Sequence, residues 1–135
     1  MLTLSYFSKF PSVYKDREPS VKEVSFVSIE AERTENKTIF IRSSTGKYKQ
    51  EIEIFDKDIH LNSPCKVFCS CESFKYEFAN SIFRSGSLLQ SISFIRSIVS
   101  RPKKKNEYNI VSGCKHLVAL SRQATKIKLK KLKEE

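Results

Sequence analysis

Lys66-Val67-Phe68-Cys69-Ser70-Cys71, answered 42 residues further on by Cys114-Lys115-His116-Leu117, is the pair of stretches on which this sequence turns. Each stretch sets two soft ligands one residue apart. Together they supply three thiolates and an imidazole, the complement of a closed tetrahedral zinc site. A C-x-C pair at a strand end converges because the turn points both sulfurs to one side. A C-x-H pair opening a helix gains from the partial positive charge there, which helps keep a thiolate ionised. His116 is expected to give one ring nitrogen to the metal and to donate from the other to an acceptor. With Cys69, Cys71, Cys114 and His116 filling all four positions, no place is left for a water nucleophile. Such a site is structural, and metal binding is then folding energy. The competing reading makes the cysteines small buried apolar residues and His116 a helix cap or lining. Cys65, four residues before Cys69, replaces a ligand only in a shifted register; otherwise it is a buried free thiol. His60 lies in a polar loop and reads as solvent-facing.

Upstream of this pair the pattern is that of strands. Val21 to Glu32 is rich in β-branched residues, but Val24 and Phe26 lie on one parity and Val27 and Ile29 on the other, which suggests a bulge or burial of both faces at the end. Lys37 to Ser43 carries Ile39 and Ile41 on one face. Tyr48 to Phe55 has the cleanest period of two, with Tyr48, Ile52 and Ile54 alternating against Lys49, Glu51 and Glu53. Thr34-Glu35-Asn36 and Ser43-Ser44-Thr45-Gly46-Lys47 make hairpin loops. The spacing thus predicts an antiparallel meander with one wet face over 21–62. Before it, residues 1–20 carry Phe7, Phe10 and Tyr14 between prolines and read as an extended arm or short turn laid on the body. Lys66 to Cys69 is a short strand. Glu72 to Ser85 has Phe74, Phe78, Ala79, Ile82 and Phe83 at helical spacing, ending at Gly86. Ser87 to Ser100 fits helix or strand, Arg101 to Asn106 is a basic loop, and Tyr108 to Val111 a short strand. A last helix starts at Lys115 or His116 and turns Leu117, Leu120, Ala124 and Ile127 inward, and the tail 123–135 is basic. The fold class is α+β: an antiparallel three- to four-stranded sheet, then a zinc-stapled ββα-like module with two or three helices.

Length and composition bound the rest. The chain of 135 residues, 39% hydrophobic and 30% charged, fits one domain of modest core, for which a metal staple is useful. It has 4 Cys, no segment with the look of a signal peptide, and no run near the ~18 apolar residues of a membrane span. A reducing cytoplasm is expected, where clustered thiols point to metal rather than disulfides. Net charge is +10, and +8 of it falls after residue 100, where 11 Lys and Arg meet 3 Glu. That asymmetry suggests a polyanion, DNA or RNA, as partner. The candidate contacts are Lys103, Lys104 and Lys105 on the loop, Lys115 and Arg122 near the cluster, and Lys126, Lys128 and Lys130 on the tail. An acidic protein surface is the plainer alternative. Glu51, Glu53, Asp56 and Asp58 could hold Mg²⁺ in a nuclease, but their alternation with Ile52 and Ile54 reads as a solvated face. No nucleophile–base pair or phosphate-cradling glycine loop is present, so neither catalysis nor a small-molecule substrate is expected.

The C-x-C…C-x-H spacing resembles that of the SWIM zinc finger, as do the strand Lys66-Val67-Phe68 leading into Cys69, Phe74 after Cys71, and the helix opened by Cys114-Lys115-His116-Leu117. The resemblance covers residues 63–122, with 84–110 as an insertion. It implies a ββα fold around structural zinc, with DNA or protein as partner. A strand-rich half followed by one such finger is also similar to small SWIM proteins of tailed bacteriophages. That implies a host-cytoplasmic or virion setting. Two functions are therefore expected in competition. One is a non-catalytic zinc module that grips nucleic acid through its basic C-terminal third. The other is a structural protein of an assembly, a phage virion, whose arm and tail dock on neighbouring subunits.

Overall fold

Ile39, Ile41, Ile52 and Ile54 are fully buried, and they occupy alternate positions on two adjacent strands. That alternation places them on one face of a sheet and leaves the residues between them, Phe40 and Glu53, on the other. The computed structural model describes residues 1–89 and 110–127. Four strands, β1 (Ser28–Arg33), β2 (Ile39–Ser44), β3 (Lys49–Ile54) and β4 (Cys65–Cys69), form one antiparallel meander in the order β1-β2-β3-β4. The chain is thus α+β, with a four-stranded antiparallel sheet covered by helices.

The register aligns the buried face across strands. Ile39 lies opposite Ile54, Ile41 opposite Ile52, and Ser43 opposite Gln50; then Ile54 meets Cys65, Ile52 meets Val67, and Gln50 meets Cys69. The other face pairs unlike charges: Arg42 stands between Glu30 and Glu51, and Glu53 opposite Lys66. Glu51 and Glu53 therefore lie on the wet face, as their alternation predicts. The β2–β3 turn carries Gly46 at φ +95°, a left-handed conformation that a Cβ disfavours.

Two sequence expectations are corrected here. The first strand does not run from Val21 to Glu32. A helical turn, α2 (Glu18–Val21), begins with Pro19 in its first turn, where the missing N–H costs nothing. The strand starts only at Ser28. The parity slip at Val27 marks a strand end rather than a bulge. Of the two readings of residues 1–20, extended arm or short turn, the extended one is the second correction. These residues form α1 (Leu4–Phe7), a 3₁₀ segment (Ser12–Arg17) and the start of α2. Thr3 caps α1, its hydroxyl accepting from the Tyr6 N–H at 3.3 Å. Leu4, Phe7 and Phe10 are buried, so the aromatics do lie on the body.

Cys71 is followed by a helix with a widened first part. Residues Phe74–Phe78 form a π turn, which continues as α3 (Ala79–Arg84). It stops at Gly86, φ +76°. There the Ser87 N–H reaches back to the Ile82 carbonyl at 3.1 Å and the Gly86 N–H to that of Phe83 at 2.9 Å. This is a Schellman stop. The chain then runs beside β4, the Val67 N–H donating to Ser87 O and the Leu89 N–H to Val67 O. The final helix, α4 (Lys115–Ala124), buries Leu117, Leu120 and Ala124, as its spacing requires, and Ile127 packs on the core in part. Cys69, Cys71 and Cys114 belong to the same continuous core as the isoleucines. The readings of residues 90–109, including the basic loop and its lysines, and of the tail from residue 128 lie outside the described residues.

Candidate metal centre

Three elements deliver the four side chains. β4 ends at Cys69 on the core-facing parity of Cys65 and Val67. The turn after it carries Cys71 into the π turn, whose first amide anchors the sulfur: the Phe74 N–H donates to Cys71 Sγ at 3.4 Å. Cys114 is the N-cap of α4 in extended conformation, φ −74° and ψ 170°, so His116 falls on the first helical turn facing back toward it.

The four donor atoms lie within 4.8 Å of one another, and all four residues are buried. Cys69 Sγ is 3.7 Å from His116 Nδ1, and Cys114 Sγ is 4.0 Å from the same nitrogen. A tetrahedral site with Zn–S near 2.3 Å and Zn–N near 2.0–2.1 Å has S···N edges of about 3.6 Å and S···S edges of about 3.8 Å. The two S···N distances are close to that edge, and the whole cluster is small enough to converge on one ion. His116 presents Nδ1 to the sulfurs. Among the described residues no acceptor meets Nε2; the ring is held instead by Tyr48, with centroids 5.4 Å apart.

Electrostatics favour a cation here. Burial pushes the Cys114 thiol well up, and its hydrogen bonds to Cys69 and Cys71 add to this. Hydrogen bonding from Cys114 and then Cys69 holds the Cys71 thiol far below its usual range. The bond with Cys114 favours the Cys69 thiolate, but hydrogen bonding with Cys71 and burial outweigh it and push Cys69 up to about 12. Burial and mutual repulsion thus oppose ionisation of all three sulfurs together. A divalent cation among them would let all three ionise, which is what thiolate ligation requires. The residues present fit a metal ion.

Sequence reasoning missed Gln50. Its side chain is fully buried, and its Nε2 donates to Cys69 Sγ at 3.6 Å. Its Oε1 accepts from the Ser43 hydroxyl at 2.7 Å, which fixes the amide the right way round. A polar residue in an apolar series reads as a gap in the pattern. Its parity with Ile52 and Ile54 was the available signal. Tyr48, expected to begin the strand, instead closes the β2–β3 turn and packs on the ligand histidine.

A cavity of about 300 Å³ opens beside the cluster, lined by Cys71, Cys114 and His116 with Arg17, Tyr48 and Lys115 among its other walls. The N-terminal segment is secured across it. Arg17 grips the buried Glu77 with two hydrogen bonds, at 3.1 and 2.6 Å, and stacks over Tyr14, 4.2 Å from its centroid. Cys65 is fully buried but outside the cluster, its thiol pushed up by burial to about 12. His60 is exposed.

The cationic candidates are divided. Lys115 and Lys126 are exposed. Arg122 is engaged within the chain: it pairs with both carboxylate oxygens of Glu18 at 2.5 and 2.8 Å and donates to the Ser8 carbonyl at 2.7 Å. Lys103, Lys104, Lys105, Lys128 and Lys130 lie outside the described residues. Among the described residues no helix is long and apolar enough to cross a membrane. No protein-family model, no curated protein and no solved structure matches the chain.

Proposed function

We propose that this chain is a non-catalytic zinc-binding module of the SWIM type, and that its basic C-terminal third binds nucleic acid. The buried Cys₃His cluster, its donor atoms all within 4.8 Å of one another, supports the metal reading. Three thiolates with one imidazole favour zinc over the harder divalent ions, which prefer oxygen ligands. Four protein ligands leave no open position for chemistry, so the ion ties the end of β4 to the start of α4. The first test is elemental analysis of freshly purified protein, which should find one zinc per chain, lost in Cys114→Ser. Absence of metal from unchelated protein overturns the reading.

The charge supports the partner: +8 of the +10 lies after residue 100. Fluorescence anisotropy with labelled single- and double-stranded oligonucleotides tests it. If about four lysines meet phosphates on duplex, the log–log salt slope is about −3.6. Raising salt from about 50 to 200 mM then costs on the order of 100-fold in affinity. No affinity even at the lower salt defeats the nucleic-acid reading and leaves the zinc reading standing. No observation favours the phage-assembly alternative, and Leu4, Phe7 and Phe10 are already buried in this chain's own body.

A further inference from the structure

The three ligand sulfurs are not equivalent. An N–H donor draws charge from a thiolate, and the charge left on sulfur governs how readily it attacks an electrophile. Cys69 receives the Gln50 amide at 3.6 Å. Cys71 receives the Phe74 backbone N–H at 3.4 Å. Among the described residues Cys114 Sγ receives no amide N–H; its nitrogen neighbour is His116 Nδ1 at 4.0 Å, which faces the same centre.

Access differs as well. The cavity beside the cluster is lined by Cys71 and Cys114 but not by Cys69. Cys69 and Cys65 are wholly buried in the core. Lys115 stands in the cavity wall with Glu72 and with Arg17, whose charge is taken up by Glu77. Cys114, though only 2% exposed, thus combines a sulfur that receives no amide donor with a place in the cavity lining. Cys71 has that place but a quenched sulfur, and Cys69 has neither.

We propose that Cys114 is a modification site, at which a small peroxide entering the cavity oxidises the ligand thiolate, with Cys71 as the resolving thiol. The inference rests on the metal-centre reading, since it takes both sulfurs as ligand thiolates. In the first step Cys114 Sγ attacks one peroxide oxygen. An S–O bond forms, the O–O bond breaks, and hydroxide leaves, so sulfur is oxidised to sulfenic acid by two electrons. The Cys71 thiolate then attacks that sulfur. An S–S bond forms, the S–O bond breaks, and a second hydroxide leaves. One hydrogen peroxide is reduced to two hydroxides, and two thiolates become one disulfide. The centre loses two of its four ligands, so the tie between β4 and α4 opens.

The experiment uses the full chain loaded with one zinc and treated with limiting hydrogen peroxide. Differential alkylation and mass spectrometry follow each cysteine, while a chromophoric chelator follows released zinc. The expected result is Cys114 consumed at least about tenfold faster than Cys69, recovered in a disulfide with Cys71, with one zinc freed per disulfide. Gln50→Leu, which removes the donor at Cys69 without touching Cys114, should narrow that ratio. Cys69 or Cys65 reacting as fast as Cys114 in the zinc-loaded wild type overturns the inference and leaves the metal centre intact. So does oxidation confined to chains that had already lost zinc. A chain that never takes up zinc sinks the metal-centre reading and this inference together.

Discussion

Gln50→Leu separates what the metal centre needs from what the core needs. Leucine keeps the volume and removes both ends of the relay: the amide bonded to Cys69 Sγ at 3.6 Å and the oxygen that accepts from Ser43 at 2.7 Å. The first loss acts on the thiolate. A hydrogen bond to a charged group contributes about 1.5–3 kcal/mol, and loss of a ligand's supporting partner typically weakens metal affinity by about 10- to 100-fold. These ranges agree, since a factor of ten is about 1.4 kcal/mol. The second loss leaves the buried Ser43 hydroxyl without its acceptor, at about 1–3 kcal/mol. That cost falls on the metal-free and metal-bound chain alike and so drops out of the affinity. Competition against a chromophoric chelator reads affinity, and urea melts in excess chelator read the core. Ser43→Ala added to Gln50→Leu should recover stability in chelator but not metal affinity. Metal affinity within about twofold of wild type in Gln50→Leu refutes the relay.

Three further outcomes are expected. Arg17→Ala removes the two guanidinium bonds to Glu77, whose side chain is 7% exposed, and keeps the Ser73 hydroxyl on it at 3.1 Å. The cost should be about 2 kcal/mol in thermal or urea melts, below the range for a fully buried pair because Arg17 is a third exposed; Glu77→Gln in the same background should recover part of it. Gly86→Ala meets no atom within 4 Å, so only the φ of +76° opposes it, and the loss should be about 1 kcal/mol with no change in metal stoichiometry. Burial raises the Cys65 thiol from its ordinary 9.0 to about 12. The folded chain therefore keeps a proton that the unfolded chain releases, and the associated stability is complete below pH 9 and lost as pH rises toward 12. Cys65→Val should flatten that alkaline decline in urea melts between pH 8 and 10.5, and an unchanged slope would place the thiol in a wetter setting.

The membership of the Cys/His cluster, the strands β2 to β4, the stop at Gly86 and the inward face of α4 were all readable along the chain. Each depends on local chemistry: the period of a strand or helix, the φ freedom of glycine, or the softness of sulfur and imidazole. The start of β1 was misread because β-branched residues from Val21 to Val27 carry strand preference that Pro19 and a helical turn override. Gln50 and Arg122 show the other kind of limit. Gln50 supports Cys69, 19 residues away, because the β3–β4 register places them opposite. Arg122 is matched by Glu18, 104 residues earlier, because α2 packs on α4. Residue type declares which groups can ionise, donate or ligate. Which of them meet depends on register and helix packing, where many buried contacts are satisfied together. For this protein the four residues of the Cys/His cluster could therefore be named in advance, while the side chains packed around them emerged only once the sheet and helices were assembled.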